Sequence, residues 1–385
     1  MRQNRLLIFI VPLLLFTACI KSYTPVIDSS AAYKIVVSGR VSNITDDWQY
    51  ITISKSIPLD ETHYVGFTGC QVSVFDEFDN EYKAQDINGN GKYRFSIGSA
   101  NLNIGTSYYL KITTPDGDIL QSEPEKMIAV APIKEPKYHI DSIYNGAFNY
   151  FTRGLQFTVD VDASEMESPY YLFELEATYE HHAKYAREWY YDGSVHHIYP
   201  PDSSLMYCWT TKQIPEIITL STANLEINKY YNLNLHFVPF NRDDLTYGYS
   251  LLARQIGLSR KAFLYWESMR LNNNQNAELY SKQPVDTQGN IKNITHPEKE
   301  VLGFFSASEI SESRIFIEAQ DTYPIPLCTP WPLGRLGFRE IGRENYPGFL
   351  MNNPMGSYFM IWLPDPCVDC SSYSGTTVKP NFWPY

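Results

Sequence analysis

The chain has 385 residues, 30 of them tyrosine, and a formal net charge of −12. That acidity excludes the basic face a nucleic-acid partner requires, and it also excludes charge-driven binding to anionic lipid. The length allows two or three domains, and after the N-terminus no apolar run is long enough to span a bilayer.

Arg2 and Arg5 precede a compact apolar run from Leu6 to Phe16, followed by Thr17-Ala18-Cys19. A short basic stretch, an apolar core and small residues before a cysteine resemble a bacterial lipoprotein signal. Residues 1–18 are therefore expected to be a signal peptide and Cys19 the lipidated residue. Several acyl chains on one residue would anchor the protein stably, since each buried methylene adds about 0.8 kcal/mol. Residues 19–32 mix Ser, Thr, Pro and Asp and read as a tether. The first acid after Cys19 is Asp28, so this stretch does not decide which side of the membrane the protein faces.

Residues 33–130 alternate as short strands: 33–41, 49–53, 70–75, 81–84, 93–97, 108–112 and one around Ile119-Leu120. Turn signals at Asp79-Asn80, 88–91 and 115–118 separate them. Seven strands at this spacing predict an immunoglobulin-like β-sandwich. Cys70, Val72 and Val74 share one strand face, which makes Cys70 a lone core thiol. Asp86-Ile87-Asn88-Gly89-Asn90-Gly91 copies the start of a calcium loop, but the twelfth position is Ile97 where a bidentate acid is needed. The segment is read as a hairpin turn.

Pro132 and Pro136 mark a boundary. Residues 137–385 are expected to form a larger β-rich domain, with strands at 155–161, 170–179, 230–240, 301–305 and 314–318 and a helix near 259–278. Phe263 and Trp266, three apart, place one helix face on a sheet. From about Thr322 the chain is rich in proline, glycine and aromatics. It reads as ordered loops held by disulfides and anchored by Trp331, Phe338, Trp362 and Trp383.

Beyond Cys19 and Cys70, four cysteines allow three pairings. The preferred one joins Cys208 to Cys328 and Cys367 to Cys370. In the alternative, Cys367 and Cys370 each pair outward with a distant partner. A zinc reading of Cys367-Val-Asp-Cys370 lacks a second ligand pair.

His181-His182 and His196-His197, among Glu180, Glu188 and Asp192, are the candidate metal ligands, provided one histidine from each pair converges. Adjacent histidines on a strand point to opposite faces, which opposes that. There is no Gly-x-Ser-x-Gly elbow or His-Glu-x-x-His helix, so neither catalytic residues nor a cofactor are expected. Asp141-Ser142-Ile143 resembles a bacterial O-glycosylation site, with Ser142 as acceptor.

Several segments together resemble one family. They are the signal ending at Cys19, the 35–39 strand, the aromatic helix before Gln283-Pro284, the block 289–294 with 301–308, and the tail from Cys367 and Cys370 to Lys379-Pro380-Asn381-Phe382-Trp383. The chain is similar to the Bacteroidota lipoproteins of the domain of unknown function 4249 family. The resemblance implies an outer-membrane lipoprotein, often encoded beside a TonB-dependent transporter, and no catalytic residues. The expected role is a non-enzymatic accessory or substrate-capture partner of such a β-barrel. An envelope assembly factor and a metal-dependent hydrolase built on the histidines are the alternatives.

Overall fold

Alternating burial builds the first layer. In the computed structural model, which describes residues 33–44, 48–57, 63–146, 149–275, 287–324, 328–352, 360–373 and 375–384, Val37 and Val41 of β1 (Ile35–Ser42) are fully buried, as are Ile51 and Ile53 of β2 (Gln49–Lys55). The same holds along β3 (Gln71–Asp76), β5 (Lys92–Phe95), β6 (Ser107–Thr113) and β7 (Ile119–Ser122). All seven strands expected before residue 130 are present. Each such Val, Ile or Phe contributes about 1.5–3 kcal/mol on leaving water. β4 (Glu81–Ile87) joins the two faces: residues 81–84 pair with β3 and residues 85–87 with β5. The calcium-like segment is the turn between β4 and β5, with Asn88, Gly89 and Gly91 at positive φ. A two-residue strand, β8 (Glu125–Lys126), pairs with β6.

The sandwich is not closed by these strands alone. β17 (Ile291–Asn293) pairs with β7, and β18 (Val301–Ser308) runs parallel to β1, Ile35 lying opposite Val301. Residues assigned from sequence to the second domain therefore complete the first, and the contiguous division at 130/137 is corrected. The physical reason is that β1 and β7 would otherwise leave sheet edges and the apolar face of Val37, Val41 and Leu120 open to water. Gly303, at φ 105°, crosses β1 so closely that a Cβ would lie 1.8 Å from the Val37 carbonyl oxygen.

A second sandwich packs β15 (Lys229–Pro239), β10 (Tyr150–Asp162) and β9 (Lys137–Asn145) against β14 (Tyr207–Ser221), β11 (Tyr170–His182), β16 (Gly248–Gly257) and β19 (Ile310–Glu318). Phe157, Tyr171, Phe173, Leu251 and Tyr249 form its centre. Helix α1 (Arg260–Gln275) leaves β16, with the Ser259 hydroxyl accepting from the Ala262 amide as N-cap. Phe263 stacks on Tyr170 and Tyr265 packs on Phe304. The chain passes from β18 to β19 through Glu309 alone. Its amide donates to the Ile128 carbonyl, its carbonyl accepts from Gly257, and its carboxylate accepts from the Val130 amide at 2.8 Å. The chain crosses between the sandwiches three times, at 127–136, from β16 through α1 to β17, and at Glu309, and Glu309 binds the first crossing and the end of β16.

A third sheet has the order β13 (Val195–Asp202), β12 (Arg187–Tyr191), β21 (Gly348–Met351), β22 (Ile361–Leu363) and β20 (Trp331–Pro332). Disulfides join Cys208 to Cys370 and Cys328 to Cys367. The outward pairing is the observed one, and the pairing of Cys367 with Cys370 is corrected. The short helix α2 (Asp365–Val368) ends between the two cysteines, directing one to β14 and the other to the loop at Cys328. Cys70 is free and half-buried. Trp383 is buried, its Nε1 donating to Glu180 at 3.0 Å, whereas Trp331, opposite Trp362 in the third sheet, is 57% exposed. Among the described residues no helix is long and apolar enough to cross a membrane.

Candidate functional site

The histidines do not converge. The buried ring of His181 sits 3.1 Å from the Cys370 carbonyl oxygen, inside the cluster of Ala183, Cys208 and Cys370. His182, on the other face of β11, meets Glu180 at 2.6 Å and stacks on Tyr247 at 3.6 Å. His196 pairs with Asp192 at 3.0 Å and stacks on Tyr190, and His197 stacks on Trp189 at 4.0 Å. Each ring is engaged by a different set of partners. No group of three or more His, Cys, Asp or Glu side chains able to hold a metal occurs among the described residues. The convergence expectation is corrected: β11 and β13 belong to different sheets, and alternation sends the two members of each pair to opposite faces. Ser142 is exposed on β9, the edge strand of its sheet, while Cys19 lies outside the described residues.

The structure assembles a different site, a cleft of about 660 Å³ between the two sandwiches. Trp48 and Tyr50 line it from the first, and Glu174, Gln213, Arg254 and Ile310 from the second, with Arg40 reaching between them. Strand alternation explains the first wall: Gln49 and Ile51 turn into the core, so Trp48 and Tyr50 face outward. The Arg94 guanidinium lies 4.3 Å from the centre of the Trp48 ring and holds the indole.

On the second wall Glu174, Arg254 and Glu312 stand opposite one another across β11, β16 and β19. Arg40 donates to both Glu174 oxygens, at 2.5 and 3.3 Å. Arg254 reaches Glu312 at 3.2 Å and Glu176 at 3.8 Å, and Arg314 reaches Glu176 at 3.2 Å. Gln213 donates to Glu176 at 2.8 Å. Three guanidiniums thus meet three carboxylates in one network. Burial pushes the Glu174 carboxyl up, yet the Arg40 charge and hydrogen bonds bring it below the ordinary value. Sequence reading missed this cleft, because its walls lie far apart in the chain. The alternation of Glu174 and Glu176 with Phe173 and Leu175 was the available signal for an outward charged face.

Fold and cleft together define a two-sandwich β protein with a polar, aromatic-edged groove between its modules. The chain belongs to the family described as "Domain of unknown function (DUF4249)", whose model matches residues 20–314. The tail from Cys367 to Trp383 lies beyond the matched segment. No curated protein matches. A crystal structure of a DUF4785 family protein from Legionella pneumophila subsp. pneumophila str. Philadelphia 1 is similar at 13% identity, covering 57% of this chain and 52% of that one, with a TM-score of 0.17. The chain spans about half the length of that protein, and a likeness at this level carries no argument.

Proposed function

We propose that this protein is a non-enzymatic lipoprotein of the outer membrane, anchored through Cys19, that captures a substrate beside a TonB-dependent transporter. The signal ahead of Cys19 and the two disulfides fit an envelope location. The transporter partnership rests on the family resemblance, which is an associational ground. The observation that carries the capture reading is the cleft between the sandwiches, since ligand sites favour module junctions.

An envelope assembly factor that binds another protein is the second reading. It is favoured by the edge strand β9, which leaves Tyr138, Ile140 and Tyr144 exposed, with Phe151 opposite Tyr144.

A mild-detergent pull-down of the tagged, lipidated protein from its own membranes, read by mass spectrometry, separates the two. A TonB-dependent β-barrel recovered in near-equal amount supports capture. Recovery of assembly machinery, or of bait alone, rejects it.

A further inference from the structure

We propose that the cleft between the sandwiches binds a neutral oligosaccharide. The substrate class rests on the capture reading above, but the observations that select it are separate.

The first is the pairing of aromatic rings with planar polar groups. Trp48 and Tyr50 are 38% and 56% exposed on one wall, and Glu174, Gln213 and Arg254 offer carboxylate, amide and guanidinium groups on the other. A sugar ring has one face of C–H groups that packs on an aromatic face and an equator of hydroxyls that donate and accept together. Amphipathic rings beside fixed polar groups match both needs.

The second is charge balance. Arg40 is held by Glu174, Arg254 by Glu176 and Glu312, and Arg314 by Glu176. An anionic ligand therefore finds Arg40, Arg254 and Arg314 already committed and Arg94 lying over the Trp48 ring, and a cationic one finds no uncommitted carboxylate among these groups. Hydroxyls make no such demand, because a carboxylate in an ion pair keeps lone pairs for further donors.

The third is backbone pairing. β1 is flanked by β2 and β18, β2 by β1 and β5, and β11 by β14 and β16. The strands that carry Arg40, Tyr50 and Glu174 thus have no free edge for a peptide to extend, and strand addition is confined to β14 and β19, the edge strands that carry Gln213 and Ile310. Glu309, itself one of the three crossings between the sandwiches, binds Ile128 and Val130 of the first crossing and Gly257 at the end of β16, so the two walls are held in place before any ligand arrives.

The test is isothermal titration of the full lipidated protein, in a detergent without a sugar headgroup. The probes are hexasaccharides of glucose, mannose, xylose and N-acetylglucosamine, with hexagalacturonate as the anionic control. Saturable binding of at least one neutral hexasaccharide, with hexagalacturonate weaker, is the expected result. Tyr50→Ala and Trp48→Ala should each weaken binding by about tenfold or more, since a stacking face is lost. Both side chains lie at the surface, and circular dichroism with an unchanged melting curve checks that the variants fold. No binding of any neutral probe overturns the proposal, as does binding that survives the double variant or tighter binding of hexagalacturonate. Recovery of a β-barrel in the pull-down with a failed titration sinks the sugar and spares the partner. Sugar binding without a recovered barrel does the reverse.

Discussion

Asn290 and Phe305 exchange two hydrogen bonds: the Asn290 amide donates to the Phe305 carbonyl at 2.7 Å and its oxygen accepts from the Phe305 amide at 2.9 Å. The pair locks the segment before β17 to β18, the two strands through which the second half of the chain closes the first sandwich. Both residues are buried, so neither partner can turn to water. Asn290→Ala should cost about 2–4 kcal/mol, two buried backbone groups losing their partners. Urea denaturation measures it, and a loss well under 1 kcal/mol would show that the sandwich closes without this clasp.

The disulfide map is directly checkable. Digestion without reduction, followed by mass spectrometry, should yield one linked peptide holding Cys208 with Cys370 and another holding Cys328 with Cys367. A peptide closed between Cys367 and Cys370 would contradict the structure. Replacing Cys208 and Cys370 together by Ser should lower stability by about 2–5 kcal/mol.

Asp118 predicts an acid limit on stability. Its carboxylate accepts from Lys299 at 2.9 Å and from Asn293 at 3.1 Å, with His296 at 3.5 Å. The Lys299 hydrogen bond, outweighing burial, holds it below the usual carboxylate range. A group whose folded value is depressed stabilises fully above its unfolded value and loses that contribution as pH falls through the folded one. Stability should therefore drop below about pH 4, and Asp118→Asn should remove part of that drop. Melting curves from pH 7 to pH 3 for both proteins provide the comparison, and identical acid slopes would refute the assignment.

Cys70 should be chemically silent in the native state. Burial pushes its thiol up to about 11, so little thiolate exists near neutrality. In a chain that starts after Cys19, a thiol reagent at pH 8 should find almost no reactive group until denaturant is added, and then one. Rapid labelling of the native protein would show that Cys70 is open to solvent.

Alternation made much of the fold legible from sequence. The seven early strands follow from period-two apolar patterns such as Val72 and Val74, and the helix follows from Phe263 and Trp266 on one face. Local periodicity and turn chemistry suffice there, because both act between residues close in the chain. The opposite orientations of His181 and His182 were equally legible, for the same reason.

Partners distant in the chain were another matter. Nothing in the pattern around Val301 says that it lies beside Ile35, and nothing near Cys370 says that it reaches Cys208 across 162 residues. An edge strand and a thiol both seek a partner without encoding which one, so burial of the remaining apolar surface makes the choice. The cleft arises the same way: Tyr50 and Glu174 each read as outward-facing residues on their own strands. Their meeting across one groove is set by how the sandwiches pack, with Glu309 binding the first crossing and the end of β16. Sequence alone determined the class of structure and the residues that face water, and tertiary packing decided which of those faces look at one another.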